Sequence, residues 1–165
     1  MDNLIKLFPL NMRGEILNIL NKMKDIPQPI EFHPEGDVFN HTLIVAQKVK
    51  NTNGDLPTIF AALMHDIGKI NTPLDILPKH IGHDKRGVEE IQKLKNGMTN
   101  IPLDWWDAAE FVAGEHMRAH NVVKQNKIKK MIIGANNTII GLEEFKLIII
   151  ADSGSKAISK LFDEI

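Results

Sequence analysis

Cysteine is absent from all 165 residues. That excludes disulfide bridges, thiolate zinc sites and a cysteine nucleophile together. Any metal held by this chain must be held through nitrogen and oxygen. Charge of one sign is missing too. The formal net charge is -1 at pH 7, which leaves no global basic field of the kind non-specific nucleic-acid binders use. Long hydrophobic runs are lacking. A notable one, Leu147 to Ala151, falls far short of the roughly 20 apolar residues of a membrane-spanning helix. The first residues, Met1-Asp2-Asn3-Leu4-Ile5-Lys6, lack the charged-then-apolar pattern of a secretory signal. A cytoplasmic protein without membrane attachment is therefore expected. The hydrophobic fraction of 43% is ordinary for a globular chain, and the length suits one domain with a real core.

Histidine is what stands out. The seven are His33, His41, His65, His80, His83, His116 and His120. None lies in the first 32 residues or the last 45, so a single site assembled from several central elements is implied. The pair His65-Asp66 sits inside Ala61-Ala62-Leu63-Met64-His65-Asp66-Ile67-Gly68-Lys69. A carboxylate at the end of an apolar segment is strongly penalised unless something cationic sits against it. A divalent metal satisfies both side chains at once.

Periodicity predicts an all-α bundle. Residues 1–24 read as one or two short amphipathic helices broken at Pro9, with Ile16, Leu17, Ile19, Leu20 and Met23 inward. A helix from about Asn40 to Lys50 places His41 on a stripe with Val45 and Val49. Asp55 can cap the next helix, with Pro57 in its first turn and Gly68 as its stop. Residues 71–82 read as a loop. A helix follows from His83 to about Asn96, with Lys85, Arg86, Glu89, Glu90 and Lys93 outward. Asp104 caps another from Trp105 to His120, with Trp105, Ala109, Val112, His116 and His120 on one face. The last two run from Leu142 to Asp152 and from Ser155 to Phe162. His41, His116 and Asp152 thus lie on inward stripes of three different helices, as a site between bundle helices requires.

Near a helix end, His65 and Asp66 can splay around one ion. His41 and Asp152 complete a nitrogen and oxygen set suited to manganese, iron, cobalt, nickel, magnesium or zinc. His83 and His116 can hold a second metal with Asp66 bridging, and two metals about 3.5–4 Å apart form a known clamp for phosphoryl transfer. The arrangement His41…His65-Asp66…Asp152 resembles the HD-domain phosphohydrolase signature, and His83 and His116 match the two extra histidines of its two-metal subset. His33-Pro34-Glu35-Gly36-Asp37-Val38-Phe39-Asn40-His41-Thr42, His65-Asp66-Ile67-Gly68-Lys69, Gly82-His83 and Ala151-Asp152-Ser153-Gly154 are similar to the HD domain of bacterial CCA-adding tRNA nucleotidyltransferases. The resemblance covers roughly residues 30–156. It implies one HD-domain helical bundle over 1–165, with residues 1–29 as an N-terminal helical extension and without the nucleotidyltransferase head.

The resemblance further implies a phosphohydrolase of 2′,3′-cyclic nucleotides, 2′-nucleotides and phosphomonoesters, with a small nucleotide or an RNA 3′ end as substrate. In that reading Asp66 holds metal and accepts a proton from water, Lys69 neutralises phosphate as a point cation, and Arg86 clamps phosphate. His83 or His116 serves as second-metal ligand or as general acid. Two alternatives stand beside it: a nucleoside polyphosphate hydrolase, for deoxynucleoside triphosphates or dinucleoside tetraphosphates, and a non-catalytic nucleotide-binding module. His33 is expected to pin its loop, Asp37 to cap the His41 helix, and His80 and His120 to lie at the surface or rim. Trp105 and Trp106 are read as packing. The run Lys124, Lys127, Lys129, Lys130 is read as a solvated face that contacts nucleic-acid backbone only if substrates are RNA ends.

Overall fold

Two aspartates set where the central helices begin. The Asp37 carboxylate accepts the Asn40 N–H at 2.8 Å and opens α3 (Val38–Asn51). Its other oxygen accepts the Asp25 N–H at 2.8 Å, tying down the preceding loop. Asp55 accepts the Thr58 N–H at 3.0 Å and opens α4 (Leu56–Met64), with Pro57 in the first turn. Each such cap is worth about 1 kcal/mol.

The computed structural model describes residues 1–121 and 124–153. Before these helices come α1 (Asp2–Ile5) and α2 (Leu10–Asn21). After them come short 3₁₀ turns at Ile67–Asn71 and Leu74–Ile76, then α5 (His83–Asn96), α6 (Leu103–Asn121), α7 (Gln125–Asn136) and α8 (Gly141–Ser153). The protein is all-α, with no strand among the described residues. No helix of the described residues is long and apolar enough to cross a membrane. The expected helix from Ser155 to Phe162 lies outside the described residues.

Helix α4 is the axis of the molecule. Every residue from Thr58 to Met64 is buried, as expected for a helix that is apolar all round. It packs between α3 and α6 and also meets α8. Phe60 meets Trp106 edge-on at 5.0 Å, and the Trp106 indole N–H donates to Thr99 Oγ1 at 3.0 Å. Trp106 is core and Trp105 is its half-buried neighbour. Fully burying side chains of this kind contributes about 1.5–3 kcal/mol each. The isoleucine-rich run of α8 is a buried helix, with Phe145, Ile148 and Ile149 inward.

Three local expectations need correction. Gly68 does not stop α4, which ends at Met64. Gly68 lies within the following 3₁₀ turn, and a Cβ there would fall on the His83 carbonyl oxygen and the Gly87 nitrogen. It is a close-approach glycine that lets α5 touch the turn. Asp104 sits in the first turn of α6 rather than before it, where its charge still suits the helix N-terminus. No helix was expected between residues 121 and 141, yet α7 buries Ile128, Met131 and Ala135; Lys124, Lys127, Lys129 and Lys130 are exposed, the solvated face expected of them.

Candidate metal centre

The end of α4 delivers the doublet. His65 follows its last turn with helical backbone, and Asp66 leaves the helix with φ -104 and ψ 14. The break lets the two adjacent side chains converge. The His65 Nε2 lies 3.2 Å from Asp66 Oδ2. Both residues are buried.

Two sets of atoms gather on opposite oxygens of Asp66. On one side, His41 Nε2 lies 3.7 Å from Asp66 Oδ2 and 2.9 Å from Asp152 Oδ1. Asp152 Oδ1 is also 3.6 Å from His65 Nε2. On the other side, Asp66 Oδ1 lies 3.3 Å from His83 Nε2 and 3.4 Å from His116 Nε2. The last two nitrogens face each other at 3.1 Å. The donor atoms of His41, His65 and Asp66, and those of Asp66, His83 and His116, each fall within 4.8 Å of one another, as groups that could hold a metal ion require.

The opposite ring nitrogens fix how these imidazoles are protonated. Each Nδ1 faces an acceptor: Glu35 Oε1 at 2.6 Å for His41, the Ala62 carbonyl at 2.7 Å for His65, the His80 carbonyl at 2.8 Å for His83 and the Ala113 carbonyl at 2.9 Å for His116. An Nδ1–H donating outward leaves each Nε2 lone pair pointing inward. Four lone pairs and two carboxylates then converge, with Lys69 Nζ against Asp66 Oδ2 and His120 Nε2 against Asp152 Oδ2 at the edge of the cluster. His65 Nε2 is buried with no hydrogen-bond partner. Acceptors cannot satisfy one another, whereas a cation satisfies all of them. The residues present fit a divalent metal bound through nitrogen and oxygen.

In the metal-free protein a proton on His65 takes the place of the cation. Burial would lower His65, but the carboxylates of Asp66 and Asp152 outweigh it and hold the imidazole up at about 10. Burial would raise Asp66, but His65 and Lys69 beside it hold it well below the usual carboxylate range. Asp152 behaves likewise, against burial, under His65, His120 and His41. Burial lowers His116, which keeps it neutral and its lone pair available.

The remaining expected residues divide. Lys69 is buried rather than free beyond the helix end. Its Nζ donates to Asp66 Oδ2 at 2.6 Å and to Gln28 Oε1 at 2.7 Å. It nonetheless lines a cavity of about 380 Å³ together with Asp66, His116 and Asp152. Arg86 is not brought to that cavity and does not face outward. Its guanidinium donates to the Gly68 carbonyl at 3.2 Å, the Ile81 carbonyl at 2.8 Å and Thr72 Oγ1 at 3.1 Å, pinning the loop before α5. His80 is buried, not at the surface. It bridges Thr72 Oγ1 at 2.6 Å and the Pro27 carbonyl at 2.8 Å. His33 reaches Glu35 Oε1 at 3.1 Å.

Two partners of the centre were missed in the sequence. His120 was read as a rim residue, yet its Nε2 lies 2.7 Å from Asp152 Oδ2. Its spacing of four from His116 on one helix face was the available signal. Glu35 holds His41 from a loop, and no periodicity marks such a contact.

Comparison with known proteins bears on the whole site. The HD-domain family model matches residues 38–139, a span containing His41, His65, Asp66, His83 and His116 but not Asp152. The chain is similar to proteins named Multifunctional CCA protein. That of Ralstonia nicotianae is 40% identical over 105 residues, 64% of this chain and 24% of the relative. That of Methylobacillus flagellatus is 40% identical over 107 residues, 65% of this chain and 26% of the relative. That of Alkalilimnicola ehrlichii is 33% identical over 123 residues, 73% of this chain and 30% of the relative. The chain therefore spans about a quarter to three tenths of the length of these relatives. No solved structure matches it. With a family model covering well over half its length, the chain belongs to the HD-domain family, whose members are generally metal-dependent phosphohydrolases.

Proposed function

We propose that this protein is a divalent-metal-dependent phosphohydrolase acting on nucleotide or RNA-end phosphates, as a 2′,3′-cyclic phosphodiesterase, 2′-nucleotidase or phosphatase. One observation carries the reading: imidazole nitrogens from four separate segments converge on both oxygens of the buried Asp66, with their Nδ1 partners turned outward. In this reading His41, His65, Asp66 and Asp152 hold one ion, and Asp66, His83 and His116 a second. Such ions, when bound, supply Lewis acidity toward phosphate oxygens and activate water.

The chain's own residues do the rest. Glu35 and the Ala62, His80 and Ala113 carbonyls hold the rings in a single tautomer. Two of the three Lys69 N–H donors are engaged. The third serves a phosphate oxygen in the cavity it lines. Asp66 keeps both oxygens on the ligand sets, so if the second ion is absent the inward lone pair of His116 takes the proton of the attacking water and returns it to the leaving oxygen. The likeness to proteins named for CCA supports an RNA 3′ end as one substrate.

The test is metal analysis of purified protein with a panel of cyclic nucleotides, 2′-nucleotides and simple phosphomonoesters across several divalent ions. Inorganic phosphate or an opened cyclic phosphate is the expected product. Asp66→Ala should abolish turnover. Full activity in that variant, with metal still bound, overturns the assignment. Release of tripolyphosphate or a nucleoside diphosphate would instead point to a nucleoside polyphosphate hydrolase.

A further inference from the structure

A second, larger cavity of about 930 Å³ opens beside the metal centre. It shares Phe32, His33, Lys69 and Met117 with the cavity over Asp66, so one ligand can occupy both. The two halves differ in chemistry. The smaller presents Lys69, His116, His120 and two carboxylates. The larger is walled by Ile30, Phe32, Pro78, Ile81 and Met117. Of these Ile30, Phe32 and Ile81 are more than two-thirds exposed. Such contiguous apolar exposure on a monomer marks a binding surface.

Phe32 stands at the junction. It lines both cavities and also the third, smaller one against His41. The residue is 76% exposed, so it packs little of the core. Its backbone is nevertheless held. The Phe32 and His33 N–H groups donate to the Pro29 carbonyl at 3.1 and 2.9 Å. Gln28, at the start of this turn, donates to the Asp37 carbonyl at 3.3 Å and accepts from Lys69. An exposed aromatic on an anchored turn, one side chain from the phosphate-facing lysine, is a platform for a flat ring. Asp84 and Glu31 on the wall of the larger cavity accept hydrogen bonds from amino or hydroxyl groups.

Resting on the phosphohydrolase reading, we infer that the larger cavity is the nucleoside subsite of the same centre, with the base of a nucleoside monophosphate stacked on Phe32 while its phosphate lies over Asp66 and Lys69. The size suits such a ligand, since small-molecule pockets of about 300–1,000 Å³ are mostly apolar with a few placed polar groups. The subsite selects esters that carry a base over esters that do not.

Calorimetric titration of the full protein with adenosine 2′-monophosphate and, separately, with inorganic phosphate tests this by affinity, a readout other than turnover. Phe32→Ala should weaken the nucleotide roughly tenfold and leave inorganic phosphate unchanged. Phe32→Trp should restore nucleotide affinity, with its indole emission quenched on binding. Unchanged nucleotide affinity in Phe32→Ala, or equal losses for nucleotide and phosphate, overturns the subsite. Absence of turnover in wild-type protein that still shows the Phe32-dependent difference would overturn the hydrolase reading and leave the subsite standing.

Discussion

Glu35 shows how much of the centre depends on residues beside the six expected ligands. Its carboxylate fixes the His41 ring through a 2.6 Å hydrogen bond. Replacing it as Glu35→Gln should lower metal affinity about 10–100-fold with an unchanged helical circular-dichroism spectrum; competition with a chromogenic chelator measures it. Unchanged affinity would show that the ring needs no such support. The charges give a pH dependence for metal-free protein. His65 at about 10 in the fold, against an ordinary 6.5, contributes stability that is whole below pH 6.5 and is lost as pH rises toward 10. Asp66 and Asp152, both held below 3.8, contribute stability present above that value and lost as pH falls through their folded values. Thermal melts after chelation should therefore be most stable between about pH 4 and 6.5. A melting temperature that climbs steadily from pH 6.5 to 10 would contradict this. At this scale the meeting of the six expected residues was legible because each doublet, stripe or motif word is local. Arg86 was not: one turn from His83 was read correctly, but where its guanidinium goes is decided by the packing of residues 68–81 against α5.

Among elements, the contact of the Ile67–Asn71 turn with α5 positions the second half of the centre. Gly68 and Gly87 make the approach possible. Gly68→Ala should cost about 3 kcal/mol or more, a fall in Tm of roughly 6–12 °C, because the clash is with backbone that cannot rotate away. Gly14→Ala is the control. Gly14 is exposed within α2 and a Cβ there meets nothing, so it should raise stability by about 0.5–1 kcal/mol. Differential scanning calorimetry of both variants checks the contrast. The helices themselves were largely readable. Asp55 and Pro57 announced α4, and the charged residues from Lys85 to Lys93 announced α5. The exception, α7, had its signal in Ile128, Met131 and Ala135, three and four apart, but the lysines between them drew the reading to solvent. The role of Gly68 was not readable. Nothing local distinguishes a glycine that ends a helix from one that lets two backbones touch.

For the molecule as a whole, ion binding and folding are linked, since segments from residue 41 to residue 152 meet only when folded. A cation at about 100 times its dissociation constant should add about 2.7 kcal/mol, and chelation should remove it, lowering Tm by several degrees. Identical melts with and without chelator would mean that the acceptors are satisfied otherwise. Asp66 carries one more consequence. Its two oxygens serve different nitrogen clusters, so any rotation that favours one cluster moves the other oxygen as well. If both halves hold ions, as proposed, their occupancies should therefore not be independent. A titration that follows the first and second equivalents separately should show unequal stepwise constants, because the carboxylate acts as a seesaw whose tilt is set by whichever ion arrives first.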